Sequence, residues 1–80
     1  MDTNEKQTII QEKEQRIRDL TADLSSAASK IGDWKVIKIY EARMKNEADP
    51  YDFDALMAAR QAARDEINQL QSEIAELVNA

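Results

Sequence analysis

Eighty residues without cysteine or histidine exclude disulfides, thiolate nucleophiles, zinc sites of the usual kind and imidazole acid–base catalysis. A chain this short buries only ~60% of the surface it exposes when unfolded, so a lone monomer is marginal and partners are expected. A net charge of -5, with 42% hydrophobic and 34% charged residues, one glycine and one proline, fits a helical composition and argues against wrapping nucleic acid.

The first element spans about residues 3–31. Ile10, Ile17, Leu24 and Ile31 recur every seventh residue, with Lys13, Leu20, Ala27 and Trp34 three positions on. These are the a and d positions of a heptad, which predicts a coiled-coil helix. Asp2 or Thr3 can cap its start. Glu12 with Arg16, and Glu14 with Arg18, stand four apart in the favourable order and are expected to pair along the helix surface. Lys13 is a polar residue in the stripe, of the kind that fixes register or oligomer state. The segment ends in "SSAASK", whose small side chains allow close approach of another helix. Without a histidine or a G-x-S-x-G elbow, Ser25, Ser26 and Ser29 have no activating partner and read as packing residues.

Gly32 then interrupts the pattern, either as a reversal of direction or as a kink in one long helix. A second helix is expected over about 33–47, with Trp34, Ile37, Tyr40 and Met44 on its apolar face. Residues 46–52, "NEADPYD", form the expected loop, with Pro50 biasing Asp49 out of helix. The third helix spans about 53–78, with Asp52 as N-cap and Asp54 in its first turn. Leu56, Ala63, Leu70 and Leu77 recur in sevens along it, as do Phe53, Arg60, Ile67 and Ile74. Its alanines Ala55, Ala58, Ala59, Ala62 and Ala63 form a shallow face that Trp34, Ile37 and Tyr40 are expected to fill. The expected fold is therefore all-α: three helices in a helical hairpin or bundle, with heptads in the first and third. Residues 1–80 make one domain, with 1–31 a coiled-coil helix and 32–80 a helical hairpin.

Charge is unevenly spread. Residues 49–80 carry two basic and seven acidic groups, against five and six in residues 1–31. The basic run Lys30, Lys35, Lys38, Arg43, Lys45 is too short to overturn the expectation that no nucleic acid is bound. Glu47, Asp49, Asp52 and Asp54 cluster within eight residues, but without the EF-hand spacing, so helix capping and solvation are expected there in place of a metal. No cofactor and no catalytic residue is expected. Tyr51 and Phe53 are expected to staple the loop onto the helices. Arg60 is the anomaly, a charge in an apolar stripe with Arg64 one turn on. Either its head reaches water, or it pairs with Glu41 or with a carboxylate of another subunit.

From Ile31 onward, "DWKVIKIYEARM" followed by "PYDFDALMAARQAARDEINQL" resembles small helical proteins encoded by phages and prophages of gut bacteria. The residues that carry the resemblance are Asp33, Trp34, Lys35, Ile37 and Lys38, then Pro50, Tyr51 and Asp52, then Arg60, Gln61, Arg64, Asp65, Ile67 and Asn68. They span about half of the chain. Gly32 stands where that pattern carries a hydroxyl residue able to cap the second helix. The resemblance implies a virion-associated, tail or fibre-region role.

Together these readings make the chain a non-enzymatic phage structural or accessory protein, assembling with copies of itself or with a larger phage protein. The residues expected at its contacts are Ile10, Ile17, Leu20, Leu24, Trp34, Tyr40, Arg60, Arg64, Ile67, Leu70, Ile74 and Leu77. The alternative is a soluble inhibitor or adaptor presenting its acidic face to a basic host protein. The N-terminus has neither a positive n-region nor an apolar h-region, and no apolar run reaches ~18 residues, so the virion or the host cytoplasm is expected and no membrane partner.

Overall fold

The computed structural model describes residues 2–79. Helix α1 is Thr3–Ser25, α2 is Asp33–Met44 and α3 is Phe53–Asn79, and the described residues include no strand. The fold is all-α. Each helix starts or stops for a local reason.

Asp2 caps α1, its carboxylate accepting from the Glu5 N–H at 2.8 Å. The helix ends at Ser25, six residues short of the expected boundary. Serine is the cause, because its hydroxyl offers the backbone an alternative to helix. Ser26 turns extended, and its Oγ accepts from the N–H groups of Ala28 and Ser29 at 2.9 and 3.0 Å. The Ser29 hydroxyl in turn donates to the Asp23 carbonyl, one of those left open by the helix end. Ala27 and Trp34 therefore lie beyond α1, and the first heptad series stops at Leu24 within the helix.

Gly32 marks neither a kink nor a tight reversal but the last residue of a short connection. It is buried, with ordinary extended dihedrals (φ -72°, ψ 163°), so its lack of a side chain matters for space and not for torsion. A Cβ there would sit 2.4 Å from the Ser26 carbonyl oxygen and 3.0 Å from both Ser29 Oγ and the Trp34 ring.

Helix α2 stops at Met44, three residues before the expected end. Asn46 takes the left-handed conformation (φ 60°), its N–H donates to Arg43 O, and the Glu47 N–H reaches back to Ala42 O at 2.9 Å. This is a Schellman ending with asparagine at C′, so Asn46 closes the helix before Pro50 is reached. As expected, Asp52 caps α3, accepting from the Ala55 N–H at 3.0 Å, with Asp54 in the first turn.

Helices α1 and α3 make the main packed pair, and α2 packs more lightly. Lys13 meets Glu73, Arg16 meets Glu66, and Arg60 reaches the Leu24 carbonyl. Numbers fall in α3 as they rise in α1, so the pair is antiparallel, and α1 runs out opposite Arg60. Beyond that point α2 takes over: Asp33 at its start binds Arg60, and Arg43 near its end lies over the Phe53 ring. The fold is thus a hairpin with one unbroken arm, α3, and one arm divided by residues 26–32.

The result is a rod, 58 × 18 × 14 Å, with a radius of gyration of 17.0 Å, where a compact chain of this length gives about 12 Å. Its core is thin. Leu20, Ile39, Ala42, Leu56 and Ala63 are the buried apolar residues, and none of the described side chains is completely buried.

Candidate interaction surface

The two arms are held by two kinds of polar contact. Along the α1–α3 seam the Arg16–Glu66 pair is exposed and the Lys13–Glu73 pair is half-buried. Arg16 donates to both oxygens of Glu66, at 2.7 Å from Nε and 3.2 Å from Nη2, and Lys13 binds Glu73. These hydrogen bonds, with the attraction of the opposite charges, hold the carboxyls of Glu66 and Glu73 below their usual range; Gln69 adds a second donor to Glu73. The expected pairs along α1 do not form. Arg16 crosses to α3 instead of binding Glu12, and Arg18 donates to Gln15 instead of Glu14.

At the broken arm the cation is buried and its carboxylate partner half-exposed. Arg60 is only 7% exposed, and its Nη1 donates to Leu24 O at 3.1 Å and Ile31 O at 2.7 Å, while Nη2 donates to Asp33 Oδ1 at 2.7 Å. One guanidinium thus binds the end of α1, the connection and the first residue of α2. Leu24 O is one of the carbonyls that a helix C-terminus leaves unpaired, so a cation there meets both a free acceptor and the negative end of the dipole. Arg60 neither reaches water nor pairs with Glu41. Glu41 is exposed on α2, and the short connection delivers Asp33 to Arg60 in its place. Arg64, one turn on, is exposed.

Trp34 fastens the same junction. Its indole N–H donates to Ser29 O at 2.6 Å, and its ring meets Tyr51 edge-on with centroids 5.5 Å apart. Lys35 Nζ lies 4.7 Å from the Tyr51 ring centre. Arg43 grips Asp49 through two hydrogen bonds of 2.8 and 2.7 Å and stacks on Phe53, which holds the Asp49 carboxyl below its ordinary value. The loop aromatics do staple the loop. A cleft of about 320 Å³ opens beside this corner, floored by Ile31, Ala55, Leu56 and Ala59 and rimmed by Lys30 and Lys35.

These tethers set the rotation of α2, and with it which face is hidden. The expected pairing of Ile37 and Tyr40 with the alanines of α3 is not made. Instead α2 turns Ile39 and Ala42 inward, leaving Ile37 54%, Tyr40 66% and Met44 71% exposed. Ala55, Ala58, Ala59 and Ala62 are also exposed, and Ala63 alone of that face is buried. Both stripes of α2 have helical spacing, so periodicity could not choose between them. The choice came from Asp33 and Trp34, anchored at one end.

The remaining expected contact residues lie on the seam. Leu20 is buried, Ile10, Ile17, Leu24, Ile67, Leu70, Ile74 and Leu77 are half-buried, and Trp34 is half-buried at the junction. Two helices cover each other on one side only, which leaves such a stripe partly wet. Among the described residues no three acidic side chains converge to hold a metal ion, and no helix is long and apolar enough to cross a membrane. No family model, no curated protein and no solved structure matches the chain.

Proposed function

We propose that the chain is a helix-docking assembly protein: a small structural or virion-accessory part, as its phage-like resemblance implies, which joins copies of itself or a larger phage protein. The observation that carries this reading is the unfinished rod. An accessible surface of 5678 Å² exceeds the roughly 4,900 Å² of a compact monomer of this mass by an amount similar to the ~800 Å² that one partner buries in a standard interface. The reading is non-enzymatic. The hydroxyls of Ser26 and Ser29 are committed to the turn after α1, and Asp52 is committed to a helix cap.

The distribution of charge favours assembly over the acidic-inhibitor alternative. Of the seven acidic groups in residues 49–80, Asp49, Glu66 and Glu73 are neutralised by basic residues of this chain, which leaves a weaker field for a basic partner. Mass spectrometry of purified particles induced from the encoding strain tests the proposal. Peptides of this chain at a fixed ratio to a structural protein are expected. Recovery only from the particle-free lysate, bound to a basic host protein in a salt-sensitive complex, would establish the inhibitor reading instead.

A further inference from the structure

The outward face of α2 exposes three large apolar side chains. Ile37, Tyr40 and Met44 lie on one stripe, each more than half exposed. A polar residue set accompanies it: at about 100° per residue, Lys38, Glu41 and Lys45 all fall on the same flank of that stripe. None of the three has an ion pair among the described residues, whereas the neighbouring Asp33 and Arg43 are committed to Arg60 and Asp49. A shallow groove of about 240 Å³ runs along this flank, lined by Lys38, Glu41, Ala42, Lys45, Glu47 and Pro50.

We infer that this face of α2 docks on the same face of a second copy of the chain, antiparallel, about a two-fold axis near Tyr40. The inference rests on the helix-docking reading above and names its surface and partner. The stripe is nearly symmetric about Tyr40, with Ile37 three residues before and Met44 four after. Antiparallel pairing therefore sets Ile37 opposite Met44 of the second copy and brings the two tyrosines together. The charges follow the same symmetry. A two-fold axis brings like flanks together, so Glu41 lies within a turn of Lys38 of the second copy and the pair is made twice. A closed isologous contact of this kind uses one patch on both subunits. Three exposed apolar side chains are thereby covered on each copy, and Lys38 and Glu41 of both copies find partners across the axis.

The rival occupant is the alanine face of α3 in another copy, Ala55, Ala58, Ala59 and Ala62, flanked by Asp54 and Asp65. That contact joins two different patches and runs head to tail, giving open chains or rings rather than a dimer.

Sedimentation equilibrium of the full chain, from low to high micromolar, distinguishes these. A dimer of twice 9.1 kDa is expected. Ile37→Asp and Tyr40→Asp are each expected to weaken it by about 30-fold or more, as loss of a buried anchor does, with unchanged helical circular dichroism because both side chains are exposed. Glu41→Lys is expected to weaken the dimer, and adding Lys38→Glu to restore it, since the two positions face each other across the axis. A monomer throughout overturns the inference. So does a dimer indifferent to Tyr40→Asp, or open polymers abolished by Ala58→Arg; in both of these the helix-docking reading survives, and particle composition judges it separately.

Discussion

The α1–α3 seam and the Arg60 junction both join helices through an arginine and a carboxylate, yet they do different work. Arg16 and Glu66 meet in water, where screening and side-chain entropy leave an ion pair little net value. Arg60 meets Asp33 and two backbone carbonyls while almost fully buried. Its desolvation has already been met by three acceptors, so removing it strands all three. Position in the fold, more than the kind of pair, sets what each contributes.

The comparison breaks first at Arg60. Arg60→Leu keeps the stripe apolar but leaves Leu24 O, Ile31 O and Asp33 without their donor. A loss of about 3 kcal/mol in chemical denaturation is expected, at the low end for a broken buried pair because Asp33 is half-exposed and can return to water. A variant as stable as the parent would show that the divided arm holds without its guanidinium. Gly32→Ala comes next. The new Cβ would press on the Ser26 carbonyl, and overpacking of this kind costs about 1–3 kcal/mol. Unchanged stability would mean that the connection relaxes freely.

The seam carries the smallest effect, and its signature is pH. Glu66 and Glu73 have carboxyls held down in the folded chain. Their contribution is therefore complete above the unfolded value of about 4.3 and is lost as pH falls through the lower folded values. An acid titration of the helical signal is expected to show a shallow decline there. Replacing both by glutamine should flatten it, and salt should mimic the replacement. A decline that persists in the double variant would place the acid sensitivity elsewhere, at Asp49, whose carboxyl Arg43 also holds down.

Much of the fold was legible from local chemistry. Asp2 and Asp52 cap helices, as their positions before helical runs imply, and the third helix runs its full expected length, to Asn79, because nothing in residues 53–79 competes with it. Two boundaries were misplaced for reasons also present in the chain. Ser25, Ser26 and Ser29 compete with the helix backbone, and Asn46 is a C′ residue, a stop signal weaker to the eye than Pro50 but reached first. The contact residues were legible only in part. Ile10, Ile17, Leu20, Leu24, Ile67, Leu70, Ile74 and Leu77 are buried or half-buried, but Tyr40 faces outward, and Arg60 found partners that no spacing rule connects to it.

The chain by itself determined an all-α fold, the helix caps at Asp2 and Asp52 and the apolar stripes of the two long helices, because each of these depends on neighbours within one or two turns. That the first helix packs on the third came from the tertiary structure. Only the tertiary structure decided which side of α2 is hidden and what Arg60 is for. A helix with two plausible stripes is turned by whatever anchors its end. Here a carboxylate and an indole, brought to the break in one arm, fixed the rotation and left Ile37, Tyr40 and Met44 facing out.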